Sequence, residues 1–283
     1  MTRRGRTDTM LSNCRIETVW HFASRCRILR DSDAQDFLAH FDVCNILMLP
    51  MVEMKDNMND LVRRCNMQLS DHDHHYIVLS FLHRWMISRA LPVAHGTLLD
   101  FGAGGQPYRE LFETKVVRYV AADVCPMPGR ALDVTLEVDK PVPLADGAVN
   151  TILSSQTLEH VSDPNFYLQE CRRLLAPDGF LILTVPMQWR HHETPHDYLR
   201  FTRFGITALL QRAGFIVDHL DGTGGVYALL GQILLNTLSE RRVHRPWLFR
   251  LINRAALWLD RRYPDPEDTI NWMCIAHVAK EVR

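Results

Sequence analysis

One stretch constrains this chain more than any other: Leu98-Leu99-Asp100-Phe101-Gly102-Ala103-Gly104-Gly105-Gln106-Pro107-Tyr108. The apolar run from Thr97 to Leu99 reads as a buried strand that ends in an acid and enters a glycine-rich turn. Tyr108-Arg109-Glu110-Leu111-Phe112 then reads as the start of a helix. Such a strand–turn–helix gathers backbone N–H groups and a helix N-terminus at one spot, and its glycines let a ligand lie against the main chain. Two nucleotide-site readings compete. A dinucleotide fold wants Gly-x-Gly-x-x-Gly; Gly102 and Gly104 fit, but Pro107 stands at the third position. A carboxylate two residues before the first glycine, Asp100, suits a ligand with a cationic end instead. A tight turn that binds nothing is the third reading.

With 283 residues there is length for one large domain plus an extension. The net charge of -1 provides no global basic field for nucleic acid and no acidic field for basic partners. The 7 cysteines are scattered, with no Cys-x-x-Cys pair, which favours reduced thiols and a cytoplasmic setting over a disulfide framework or zinc ribbon. The basic start, Met1 to Arg6, lacks the uninterrupted apolar region of a secretory signal, because Asn13, Arg15 and Glu17 break it.

Residues 1–70 read as an extension without a motif. Gln35 to His40 suits a helix, Val43 to Met51 is an apolar patch, and Met51, Met54 and Met58 are candidate alternative starts. From Asp71 the pattern sharpens. Asp71 and Asp73 stand where a helix cap belongs, and Tyr76, Leu79, Leu82, Trp85, Met86 and Ala90 recur at helical spacing up to Pro92. His72, His74 and His75 read as a solvated helix start. A second strand, Val116 to Ala122, ends at Asp123, 19 residues past Gly104. That is where a carboxylate can accept from two ribose hydroxyls. Further strands are expected at Leu132 to Val134, Val149 to Ser155 and Phe180 to Val185, with a helix from Asp163 to Leu175 and a turn at Pro177-Asp178-Gly179. Alternating strands and helices imply a parallel doubly wound sheet whose ligands sit beyond the C-terminal strand ends, near Asp100, Asp123, Asp133, Gln156 and Pro186.

Taken together, these segments resemble the class I S-adenosyl-L-methionine (SAM)-dependent methyltransferases, of the methyltransferase-11-like kind, over residues 71–283. Asp100-Phe101-Gly102-Ala103-Gly104 is similar to the family's first motif, Asp123-Val124 to its ribose-binding segment, and Asp133-Val134 to the pair beside the adenine. Ser155-Gln156-Thr157-Leu158-Glu159-His160-Val161 is similar to its fourth-strand segment. The resemblance implies SAM as cofactor, held by Asp100, Gly102, Ala103, Gly104, Asp123, Val124, Asp133, Val134 and Gln156. It also implies a Rossmann-like seven-stranded sheet with an antiparallel last strand at Trp272 to Ala279. Glu193 to Thr202 is more weakly similar to bacterial members associated with surface-polysaccharide biosynthesis.

The expected activity is O-methylation of a sugar, glycan or other small-molecule acceptor. Alternatives are a SAM-binding relative without turnover and an RNA methyltransferase. A hydroxyl acceptor has to lose a proton, and His191 or His196 is the expected base, with Asp197 orienting it. His160 is a further candidate catalytic residue. Some members of the class hold a divalent ion on Glu-x-x-Glu-His. Here Gln156 replaces the first acid of that pattern, so no metal is expected on Glu159 and His160. Residues 226–262 read as a helical insertion before the last strand. Its apolar stripe of Trp247, Leu248, Leu251, Ile252, Ala255, Ala256 and Leu259 lies among arginines. It suits packing on the sheet, a homodimer contact, or a peripheral contact with an anionic membrane at its inner face.

Overall fold

The computed structural model describes residues 67, 69–127, 129–243, 245–265 and 269–278. The expectations for Gln35 to His40, Val43 to Met51 and the candidate starts lie outside the described residues.

Seven strands form one sheet: β1 (Thr97–Phe101), β2 (Arg118–Asp123), β3 (Val134–Thr135), β4 (Val149–Ser155), β5 (Leu175–Pro186), β6 (Phe215–Thr223) and β7 (Asn271–Val278). Their order is β3-β2-β1-β4-β5-β7-β6. β1 to β5 pair in parallel, and β7 runs antiparallel between β5 and β6. The central strands are covered on both faces, which is why they read as continuous apolar runs. Leu98, Leu99, Ile152, Leu153, Leu181, Ile182 and Leu183 are fully buried. Alternation along β1 sends Leu98 to one layer and Leu99 to the other.

The first layer holds α1 (Tyr76–Trp85), α2 (Arg109–Glu113), α5 (Val226–Glu240) and α6 (Pro246–Arg262). The second holds α3 (Pro164–Leu174) and α4 (Arg203–Arg212). α5 and α6 lie between β6 and β7 in sequence. They pack on α1, where Gln232 accepts from the Val78 N–H and donates to the His74 carbonyl. Trp85 anchors α1 to β6 through its indole N–H, 2.8 Å from Asp221 Oδ2. Among the described residues no helix is long and apolar enough to cross a membrane.

Several local expectations are corrected. Asp71 and Asp73 do not cap α1: its N-cap is His75, and the Asp71 carboxylate takes Arg250 and Arg254 of α6 instead. The first helix does not stop at Pro92. It passes through a π-helical turn, Met86–Ala90, and ends with Leu91–Val93, one residue past Pro92. Pro177-Asp178-Gly179 is not a separate turn, because β5 starts directly after α3 and absorbs it with a register shift against β4. The face of α6 that packs is Phe249, Asn253, Ala256 and Leu257, so Trp247 and Leu251 of the expected stripe point outward with Trp258.

Candidate active site

The ends of β1, β2 and β4 meet at the glycine turn. Gly102 and Gly104 adopt φ values of 85° and 47°, open to glycine with little strain. A Cβ on Gly102 would lie 2.2 Å from the Thr157 side chain, whereas a Cβ on Gly104 would meet no atom within 4 Å. Gly102 is thus fixed by packing against the segment after β4, while Gly104 borders open space.

Three of the turn's N–H groups are already used. Gly102 and Ala103 both donate to the Ala122 carbonyl, at 2.9 and 3.1 Å. Gly104 donates to Asp123 Oδ2 at 2.7 Å, and Val124 donates to Oδ1 at 2.7 Å. A pyrophosphate needs free N–H donors, so this turn does not suit one. Asp123 is different. Its Oδ1 accepts a second, longer bond from the Cys125 N–H at 3.4 Å, whereas Oδ2 accepts from Gly104 alone and has a second lone pair for a ligand hydroxyl. Burial raises its pKa, which the backbone donors oppose and nearby Glu193 reinforces.

Asp100 sits beneath the turn and is almost fully buried. The Tyr119 hydroxyl donates to its Oδ2, and the Arg109 guanidinium lies 5.1 Å from the Tyr119 ring centroid. Burial pushes the Asp100 carboxyl up to about 7, against the Tyr119 hydrogen bond. The expected position of Asp133 is corrected: it precedes β3 and stands opposite Ala121, whose N–H its carboxylate accepts at 2.8 Å. It is therefore below the rim, and Val134 and Val124 are the residues nearer the strand ends. Gln156 closes β4 with φ 54°, and its side-chain amide donates to Thr184 Oγ1 at 3.1 Å.

Across the cleft, a 3₁₀ turn, Leu158–His160, faces the loop after β5. The His160 Nδ1 lies 2.8 Å from the His196 carbonyl oxygen. Asp197 does not orient His196. Arg200 takes its carboxylate with two donors at 2.6 and 2.8 Å, and the His192 N–H adds a third at 3.0 Å. Burial would raise this carboxyl, but the bonds from Arg200 and His192 outweigh it and hold it well below the usual carboxylate range. The His191 ring, 3.5 Å from Asp197, is 89% exposed, and His196 Nδ1 pairs with the Tyr198 hydroxyl at 2.9 Å. Glu159 is fully buried, neither of its oxygens has a hydrogen-bond partner, and burial pushes its pKa up to about 8.

A family model described as a methyltransferase domain matches residues 70–220. The chain belongs to the methyltransferase family. It is an enzyme of the SAM-dependent kind. Among curated relatives, this methyltransferase is 27% identical over 169 residues to a ubiquinone biosynthesis O-methyltransferase of Cereibacter sphaeroides, covering 50% of this chain and 68% of the relative. It is 27% identical over 128 residues to a probable SAM-dependent methyltransferase of Mycolicibacterium smegmatis, covering 41% and 50%. Among solved structures, the 1,6-didemethyltoxoflavin-N1-methyltransferase of Burkholderia thailandensis, bound to S-adenosylhomocysteine, aligns with TM-score 0.44 and 16% identity over 75% of this chain and 92% of that one.

The cofactor is S-adenosyl-L-methionine, and the residues present fit it. The turn borders open space at Gly104, three of its N–H groups are withdrawn from phosphate binding, and Asp123 keeps acceptor capacity at the rim. Tyr119 and Thr157 were not singled out from the sequence. Period-two alternation along β2 puts Tyr119 on the face of Ala121, but only the register opposite β1 brings it to Asp100. Arg200 pins the loop after β5 through its two bonds to Asp197.

Proposed function

We propose that residues 71–283 are a SAM-dependent O-methyltransferase domain, with 226–262 inserted, acting on a sugar, glycan or other small-molecule acceptor. In this reading Asp123 accepts the ribose hydroxyls, and Gly102, Ala103 and Gly104 lie against the amino-acid portion above Asp100. Val124, Val134 and the segment at Asp133 flank the adenine, and Gln156 borders the methyl. When bound, SAM supplies an electrophilic methyl group on a cationic sulfur. The chain aligns the acceptor in line with that methyl and excludes water. The observation that carries the reading is Asp123, whose carboxylate is held by the N–H groups of Gly104, Val124 and Cys125 and keeps acceptor capacity on Oδ2.

For the acceptor's proton, His196 is the favoured base. Tyr198 holds its Nδ1, and a proton on that nitrogen leaves Nε2 to accept. His191 is too exposed to be held in one pose, and Asp197, 3.5 Å from the rings of His191 and His192, also takes the His192 backbone N–H. Radiolabelled methyl transfer to fractionated cell extract tests this. Label in glycan or small-molecule fractions supports it. Label in RNA, or SAM binding with no transfer to any fraction, contradicts it.

The partner surface is α6. Trp247, Leu251 and Trp258 are 67, 58 and 63% exposed, and Arg245, Arg250, Arg254, Arg261 and Arg262 are exposed around them. Aromatic and arginine side chains on one helix suit the interface of an anionic bilayer at the cytoplasmic face. Sedimentation with anionic vesicles at low salt tests it; no binding rejects this contact.

A further inference from the structure

The acceptor side of the cleft contains one group the reaction above does not use. Glu159 sits in the 3₁₀ turn after β4 with both carboxylate oxygens buried and without a hydrogen-bond donor. Such a group is costly unless something electropositive faces it. Two histidines lie beside it, and Arg200, Glu193 and Asp197 act on it from farther off. One ligand atom each from Glu159, His160 and His192 lie within 4.8 Å of one another. His160 Nε2 is 3.9 Å from Glu159 Oε1, too far for a hydrogen bond, and the His160 and His192 rings pack edge to face at 4.7 Å.

The orientation of His160 sharpens this. Its Nδ1 faces the carbonyl oxygen of His196 at 2.8 Å. A carbonyl only accepts, so Nδ1 is the donor there, and Nε2 is the nitrogen the neutral ring would offer to a metal ion. Metal-bound histidines are commonly held this way, with the far N–H donated to a carbonyl. Glu193 approaches the same Nε2, at 3.7 Å, from a backbone with φ 51°.

We propose that Glu159, His160 and His192 hold a divalent transition-metal ion, with Glu193 at its rim. Two imidazoles and one carboxylate suit Zn²⁺ or Co²⁺ better than Mg²⁺, and three protein ligands leave a position open. Ligands ~2.1 Å from a tetrahedral ion stand about 3.4 Å apart, so the side chains need to close by roughly 1 Å. The set does not need the acid that Gln156 replaces, because His192 enters from the loop after β5.

The use of that open position rests on the O-methyl transfer proposed above. An acceptor hydroxyl bound there is more acidic. Its proton leaves to His196 and its oxygen bonds to the methyl carbon. The carbon–sulfur bond breaks with its electron pair remaining on sulfur, giving the methyl ether, S-adenosylhomocysteine and one proton.

Chelator-stripped full-length protein, dialysed against Zn²⁺ and against Co²⁺, tests the site. One ion per chain is expected, with visible Co²⁺ absorption of a tetrahedral nitrogen and oxygen set. His160→Ala and His192→Ala should each weaken Zn²⁺ at least tenfold, while His95→Asn, distant in the fold, keeps it. SAM affinity measured on the same variants shows that they are folded. Glu159→Gln is a third variant, interpreted only where SAM binding survives. No stoichiometric ion, or an ion retained equally by His160→Ala and His192→Ala, overturns the proposal. A bound ion without methyl transfer to any small or glycan acceptor leaves the metal site standing and rejects the acceptor reading.

Discussion

The two halves of the cleft are built in opposite ways. On the proposed cofactor side, backbone N–H groups do most of the holding: Gly102 and Ala103 donate to the Ala122 carbonyl and Gly104 to the Asp123 carboxylate, while the Tyr119 side chain meets Asp100. On the proposed acceptor side, side chains supply most of the contacts, to one another and to the backbone. Arg200 clamps Asp197, His160 reaches the His196 carbonyl, and Glu159 is left with no donor. A backbone-built half is dictated by strand register and glycine, so it tolerates little change. A side-chain-built half can be altered residue by residue, and its buried Glu159 carboxylate has no hydrogen-bond partner.

The sharpest way to break this contrast is Gly102→Val. Its Cβ would enter the Thr157 side chain at 2.2 Å, at φ 85°. Left-handed strain and overpacking together cost about 3 kcal/mol. Denaturant unfolding should show that loss, with SAM binding gone; an unaltered midpoint would show that the turn is not the rigid half. Asp197→Ala is the counterpart across the cleft. It leaves the half-buried Arg200 without its carboxylate and should cost about 2 kcal/mol, below the full cost for a buried pair because Arg200 is partly solvated. Turnover should fall while SAM affinity stays within about twofold, and a matched loss of SAM affinity would mean the halves are not separable.

pH resolves the halves more finely. Asp100 titrates near 7 when folded, above its unfolded value, so the native state keeps a proton the unfolded chain has released. Stability of the ligand-free protein should therefore fall as pH rises from about 4 to 7, by at most about 1.4 kcal/mol per pH unit for one group. Glu159, at about 8, adds the same sign up to that pH, and bound metal should remove its share. Asp100→Asn should flatten the lower part of the curve. The smallest effect is expected at the surface: Trp247→Ala and Trp258→Ala should change stability by no more than about 0.5 kcal/mol while weakening vesicle binding.

The cofactor half was largely legible in the sequence for the same reason it is rigid. Strand periodicity, paired glycines and acids at strand ends are local signals, and they located Asp100, Gly102, Gly104 and Asp123 on one sheet edge. Asp133 was misread because β3 has only two residues, too few for alternation to fix which of them precedes the strand. The acceptor half was not legible. Asp197 looked like a partner for His191 or His196; it stands 3.5 Å from the His191 ring, but the Arg200 guanidinium three residues on competes better for a carboxylate than an imidazole does. Asp71 likewise looked like a cap until α6, some 180 residues away, brought Arg250 and Arg254 to it.

The most direct measurement is calorimetric SAM titration of the wild type, Asp123→Ala and His192→Ala side by side. Loss of the charge-assisted ribose bonds should weaken Asp123→Ala by about 1–3 kcal/mol, or roughly 5- to 150-fold, with His192→Ala close to wild type. Equal affinity in Asp123→Ala and the wild type would contradict a ribose held at the tip of β2, and with it the division of the cleft described above.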